Sequence, residues 1–198
     1  MKREIRIKLK QLEKDYNTYL KYNCKYYSLK KKGSHIWKAS NTMFFYAITD
    51  LWYNEKKNSF CSSVTVYVKP LWTDELLWRV LDMEENLKAP LSLRCDGAFT
   101  FFGLKCCYEV LDFEDIETSG TKMLTMISDA ADKFNEDYFN AHSSEIDYQR
   151  ELFDILDLIY KEQFLSAINY SNKINHYYFI NKGKSFLEYV IEYCKKNT

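Results

Sequence analysis

Between Ser59 and Lys69, Val64, Val66 and Val68 recur at every second position, separated by Thr65 and Tyr67. A period of two describes a strand with one buried face. Such a strand needs neighbours to satisfy its backbone, so this segment commits the chain to a sheet. The neighbours are close in sequence. Lys25–Lys31, His35–Ala39 and Met43–Tyr53 are rich in aromatic and β-branched residues, with Lys32-Gly33-Ser34 and Asn54–Asn58 as turns between them. Four strands joined by short turns form an antiparallel meander, and Pro70 ends the last of them.

Helical periods surround this meander. Ile5, Leu9, Leu12, Tyr16 and Leu20 form one stripe, with Lys2, Arg6, Lys10 and Lys14 opposite, which predicts a helix ending near Asn23. Thr73 as N-cap, followed by Asp74 and Glu75, predicts a helix over 73–84 with Leu76, Leu77, Val80 and Leu81 inward. Strand character returns at Leu91–Leu93. It returns again over Phe99–Leu111, bent at Gly103, where the apolar run Ala98–Leu104 fits a buried strand.

Beyond Thr118 the pattern is helical. Met123, Ile127, Ala130, Ala131, Phe134 and Tyr138 make a long stripe. Ser144 with Asp147, and Ser185 with Glu188, have the spacing of capping boxes. Leu152, Leu156 and Ile159 mark one further helix, and Phe164, Leu165 and Ile168 another. The expected class is α+β: a mainly antiparallel sheet packed by an N-terminal helix and a helical C-terminal half. No Gly-, Pro- or Ser-rich linker divides the chain. One domain over 1–198 is expected, with helix and meander in 1–113 and the helical part in 114–198.

Composition narrows the class further. Aromatics reach 17% and net charge is zero, the opposite of a disordered chain. No segment has the apolar length of a secretory core or a membrane span, so no membrane partner is expected. Cys24, Cys61, Cys95, Cys106, Cys107 and Cys194 show no metal or framework spacing. They read as reduced thiols in the cytoplasm. The four tryptophans, Trp37, Trp52, Trp72 and Trp78, read as filling between sheet and helices.

Sites of chemistry are sparse. His35, His142 and His176 are too dispersed for a metal motif. Ser63, Ser92 and Ser119 lack the Gly-x-Ser-x-Gly frame, and the five glycines form no phosphate loop. The run Asp112-Phe113-Glu114-Asp115-Ile116-Glu117 offers clustered carboxylates, as metal-dependent hydrolases require. Acids also gather where a strand feeds a helix N-terminus. No catalytic residue, metal ligand or cofactor is assigned on these grounds.

Charge is the strongest functional signal. Residues 1–35 carry eleven basic and three acidic side chains, whereas residues 109–162 carry four basic and fifteen acidic. Two binding surfaces follow. Asp112, Glu114, Asp115, Glu117, Asp129, Asp132, Glu136 and Asp137 are expected to form an acidic face that attracts a basic protein. Lys30, Lys31, Lys32 and Lys38, interleaved with Trp37, suggest a basic aromatic hairpin for nucleic acid or a small ligand. The absence of arginine from that hairpin favours the first reading.

The meander from Tyr27 to Lys69, with Lys31-Lys32-Gly33 at its opening and Trp37 on the return strand, resembles small uncharacterised bacterial α+β domains. Some of those lie in toxin–immunity neighbourhoods. The resemblance spans only the meander and brings no catalytic residues. It implies a bacterial interaction protein of immunity type, without enzymatic activity.

Overall fold

A computed structural model describes residues 2–97, 99–175 and 178–198. Ala98 and His176 lie outside the described residues. In chain order the elements are α1 (Arg3–Asn23), β1 (Lys30–Lys32), β2 (His35–Ala39), β3 (Met43–Asn54), β4 (Ser59–Pro70), α2 (Leu71–Val80), α3 (Leu93–Asp96), β5 (Leu104–Asp112), α4 (Ile116–Lys133), α5 (Glu136–His142), α6 (Arg150–Tyr160), α7 (Phe164–Ser171), β6 (Ile180–Asn181), β7 (Lys184–Ser185) and α8 (Phe186–Asn197). The fold is α+β, with a five-stranded antiparallel sheet in the order β1-β2-β3-β4-β5. The chain packs into two compact units, Met1–Val68 with Leu104–His142 and Lys69–Gly103 with Ser143–Thr198.

The first unit holds the sheet, α1, α4 and α5. The alternation of β4 is realised, with Val64, Val66 and Val68 fully buried. The meander differs from expectation at its start. Cys24–Tyr27 is a short 3-10 turn, Ser28 is left-handed (φ 55°), and β1 covers only three residues. Buried Cys24 and Leu29 close the turn, and the Leu29 amide donates to the Cys24 carbonyl at 3.0 Å. Those local bonds satisfy backbone that a strand would have paired across the sheet. A fifth strand then pairs with β4, from Cys61 against Asp112 to Val68 against Leu104, through an irregularity at Val66/Tyr67.

Helix α1 packs against α4. Tyr16 meets Phe113 edge-on at 5.4 Å, and the Tyr19 hydroxyl bonds Thr121 Oγ1 at 2.8 Å. Gly120 permits this approach, since a Cβ there would lie 2.4 Å from the Tyr19 ring. The long stripe expected through Tyr138 is broken at Phe134, whose backbone leaves the helical region. Asn135 is the reason. Its Oδ1 accepts the Tyr138 amide at 3.0 Å and starts α5 as a new helix.

The second unit is helical apart from the β6–β7 hairpin. Its core includes Leu77, Trp78, Leu81, Leu156, Phe186 and Val190. The Ser185–Glu188 capping box is present at the start of α8. Other local expectations change. Helix α2 starts at Leu71 behind Pro70 and ends at Val80, while Thr73 lies inside it with its hydroxyl donating to the Pro70 carbonyl at 2.7 Å. Leu91–Leu93 leads into a short helix, not a strand. Ser144 and Asp147 do not open a helix; α6 begins at Arg150, after Gln149 at φ 63°.

The segment before Leu104 is not strand either, because one buried ion cluster takes up its backbone. Lys69 and Asp74 have no exposed surface, and their charges lie 2.8 Å apart. Lys69 Nζ also donates to the carbonyls of Arg94 and Phe101. Asp74 accepts the Phe101 amide at 2.8 Å and lies 3.4 Å from the Arg94 guanidinium. Trp78 Nε1 donates to the Phe99 carbonyl at 2.7 Å, and Gln149 Oε1 accepts the Phe102 amide at 2.9 Å. Each polar backbone group of this loop that is so engaged is unavailable to a ladder.

Two stability outcomes follow. Asp74→Ala strands the buried Lys69 ammonium and the Phe101 amide, while Arg94 keeps Glu75, and should cost about 3–5 kcal/mol, lowering the melting temperature by roughly 10 °C. Lys69→Met should cost less, since Arg94 still balances Asp74; calorimetric melting of both variants checks the order. Gly120→Ala should destabilise by about 1 kcal/mol, the clash with Tyr19 exceeding the gain in helix propensity. In a Tyr19→Ala background the same change should become stabilising, which denaturant titration of the double-mutant cycle would read.

Candidate acidic pocket and basic cleft

The eight acidic residues expected to share one face divide into two groups separated by α4. That helix of 18 residues puts its ends about 25 Å apart. At its start the carboxylates are engaged locally. Asp112 pairs with Lys57 at 2.9 Å, Glu114 pairs with Lys122, and Asp115 accepts the Thr118 amide at 2.9 Å as the N-cap. Glu117 is exposed in the first turn. Among the described residues no group of three or more His, Cys, Asp or Glu side chains is placed to hold a metal ion. Engaged by Lys57, Lys122 and the Thr118 amide, the run 112–117 serves as a helix start.

The second group is different. Asp129 and Asp132 end α4, and Glu136 and Asp137 open α5, all four exposed. Beside them lies a pocket of about 230 Å³, lined from one side by Lys38, Ser40, Met43 and Phe45, and from the other by Phe134 and Glu136. Its floor is apolar, since Met43, Phe45 and Phe134 are nearly buried. Its walls are fixed by short-range bonds. Ser40 Oγ accepts the Met43 amide at 3.0 Å, and Lys38 pairs with Asp132 at 2.6 Å. The volume falls below the range usual for drug-sized ligands and suits one long side chain. Asn135, by ending one helix and starting the next, turns Glu136 onto the rim.

The basic hairpin is also rearranged. Lys30 lies opposite Trp37, 4.9 Å from its ring centroid, and Trp37 stacks on Phe44 at 5.6 Å. Trp37 is only 7% exposed, so its ring is not offered to a base. Lys38 faces α4. Lys31 and Lys32 instead join Lys21 of α1, with Asn17, Thr18 and Gly33, around a shallow cleft of about 380 Å³. Burial holds the Lys31 ammonium below the usual lysine range. Sequence reasoning missed Lys21 because a helix face and a hairpin tip 10 residues apart carry no common period.

Other chemistry is disfavoured by its surroundings. Burial pushes the Cys24 and Cys194 thiols up to about 11 and also raises Cys107, so none is a thiolate at neutral pH. His142 Nδ1 lies 2.8 Å from the Tyr138 carbonyl, within its own helix, and its ring stacks on Tyr138. His35 is half-buried against Tyr46. In the second unit, Arg79, Lys182, Lys184 and Lys196 line a cleft of about 390 Å³. Asp82 and Glu192 answer two of those cations, at 3.8 and 2.6 Å. No helix among the described residues is long and apolar enough to cross a membrane. Comparison with protein-family models, curated proteins and solved structures returns no match.

The caps make a pH-dependent prediction. Hydrogen bonds from Thr118 hold the Asp115 carboxyl below its ordinary value, and the Ser185 amide and hydroxyl do the same for Glu188. Each group contributes stability that is complete above its unfolded value, about 4, and is lost as pH falls through the lower folded value. Asp115→Asn should therefore flatten the acid limb of the stability curve below about pH 4. Melting temperatures between neutral and acid pH for the two proteins measure this.

Proposed function

We propose that this protein is a non-catalytic binding module that recognises a basic protein through the pocket at the α4–α5 junction. The observation that carries this reading is an apolar floor of Met43, Phe45 and Phe134 beside the Glu136 carboxylate, in a pocket whose one cation, Lys38, is already paired with Asp132. A lysine or arginine satisfies both parts at once. Its aliphatic stem lies on the floor while its charged head reaches Glu136. Asp129 and Asp137 extend the negative field beyond the pocket and would speed encounter with a cationic surface. The acids at residues 112–117 contribute less, since Lys57, Lys122 and the helix start already engage three of them.

An immunity-type role in a bacterial cytoplasm is the biological form of this proposal, with a cationic toxin or nuclease as the masked partner. The resemblance of the meander leans that way. Retention of a host protein on the immobilised chain, followed by affinity measurement across salt, tests it. The partner should be basic, its affinity should fall steeply as salt rises, and Asp129→Lys, Glu136→Lys and Asp137→Lys together should abolish binding. Affinity unchanged by salt, or full binding by the triple variant, would sink the proposal.

A further inference from the structure

We infer that one copy of this protein seats the basic face of its α1 in the acidic pocket of a second copy, so that the chain associates head to tail. The inference rests on the reading of that pocket as a site for basic side chains, and names its occupant when no other cationic partner is present. Both surfaces belong to the first unit. Arg3, Arg6, Lys10 and Lys14 recur at spacings of three and four residues, so they form one stripe along α1, and all four are exposed. A different side of the helix buries Tyr16 and Leu20. Among the described residues no carboxylate lies within ion-pair distance of these four cations. Asp15 accepts from Gln11 at 2.8 Å away from the stripe, and half-buried Glu13 borders it.

The two surfaces sit at opposite ends of the sheet. Lys8 lies over the Phe60 ring at 5.4 Å, and Phe60 meets Tyr53 edge-on at 5.3 Å, which puts the first half of α1 at the β3–β4 turn. The pocket lies at the β2–β3 turn, where Ser40, Thr42 and Met43 line it. The stretch of β3 from Met43 to Tyr53 holds the two apart by about 30 Å. Across that span the stripe cannot reach the pocket of its own chain, so their attraction is satisfied only between copies. At the junction Asp129, Glu136 and Asp137 are exposed. Lys38 is taken by Asp132 at 2.6 Å, and Lys133, 5.5 Å from the Phe134 ring centroid, offsets one of the three. The junction therefore stays negative where the stripe is positive.

In the contact, an arginine of the first two turns of α1 lays its stem on Met43, Phe45 and Phe134 and gives paired hydrogen bonds to Glu136. The next cations along the stripe face Asp129 and Asp137. Stripe and pocket are different patches, so the contact is heterologous and repeats from copy to copy into a ring or a filament. A cationic protein that fits the pocket competes with α1, so its binding dissolves the assembly.

Sedimentation velocity reads the assembly. The mass of the parent protein should grow with concentration at low salt and fall to that of a single chain at high salt. Arg3→Glu with Arg6→Glu leaves the pocket intact, and Glu136→Lys with Asp137→Lys leaves α1 intact. Each double variant alone should associate more weakly by about tenfold or more. Mixed together they should form a one-to-one pair that grows no further, because only one pocket and one stripe still match. That recovery also shows that both variants fold. Undiminished assembly by either double variant, or no pairing in their mixture, overturns the inference. A parent protein that stays a single chain at low salt overturns it too. Hexaarginine titrated onto the Arg3→Glu, Arg6→Glu variant then separates it from the reading beneath: binding that Glu136→Lys abolishes keeps the pocket, and absence of binding sinks both. A single chain that holds duplex DNA through the stripe would assign α1 to nucleic acid instead.

Discussion

A lysine and an aspartate with no solvent exposure set the conditions for the second unit. Desolvating an ammonium and a carboxylate costs several kcal/mol per ion. Coulomb attraction at 2.8 Å repays this only when the remaining donors and acceptors are filled. They are filled here by the Arg94 guanidinium, two backbone carbonyls and the Phe101 amide. The cluster thus fastens the end of β4, the first turn of α2, the short α3 and the loop around Phe101. Burial draws the Lys69 ammonium below its usual range, with Asp74 acting against that pull. A perturbed lysine of this kind often marks an active site. With no open surface, this one serves position and not chemistry.

The same logic sorts the surface. A charge near an opposite charge explains itself as part of the fold, at a surface value of about 1 kcal/mol or less. Lys57 with Asp112 and Lys122 with Glu114 belong to that class. A charge placed beside apolar surface or among like charges does not. Glu136, on the rim of the pocket beside Phe134, is placed in that second way. The strong asymmetry in the sequence therefore survives folding only in part, since Lys57, Lys122 and the Thr118 amide engage three of its acids.

The main features of the fold were legible because they are periodic. The valine alternation of β4, the stripe at Tyr16 and Leu20, and the Ser185–Glu188 box all act through neighbours a few residues away. What failed was decided by distant partners. Phe99–Gly103 has the composition of a strand, yet its amides and carbonyls go to Asp74, Lys69, Trp78 and Gln149. Thr73 looks like a cap, but Pro70 already fixes the entry to α2 and buries the hydroxyl. Asn135 could have been read as a cap before two acids, but the apolar stripe running through Phe134 concealed it.

The candidate sites show why charge runs are weaker guides than periods. A run counts residues, whereas a site needs them to converge. The acids at 112–117 are contiguous in sequence and are used up at the start of one helix. Glu136 becomes a rim residue because Asn135 breaks the chain direction beside Met43 and Phe45, some ninety residues earlier in sequence. Lys21 becomes a cleft residue because a hairpin turns on Gly33 next to the last turns of α1. Binding chemistry in this protein arises where one element ends against another. At such a junction the ladder bonds stop, side chains from both elements meet, and a concavity remains between them.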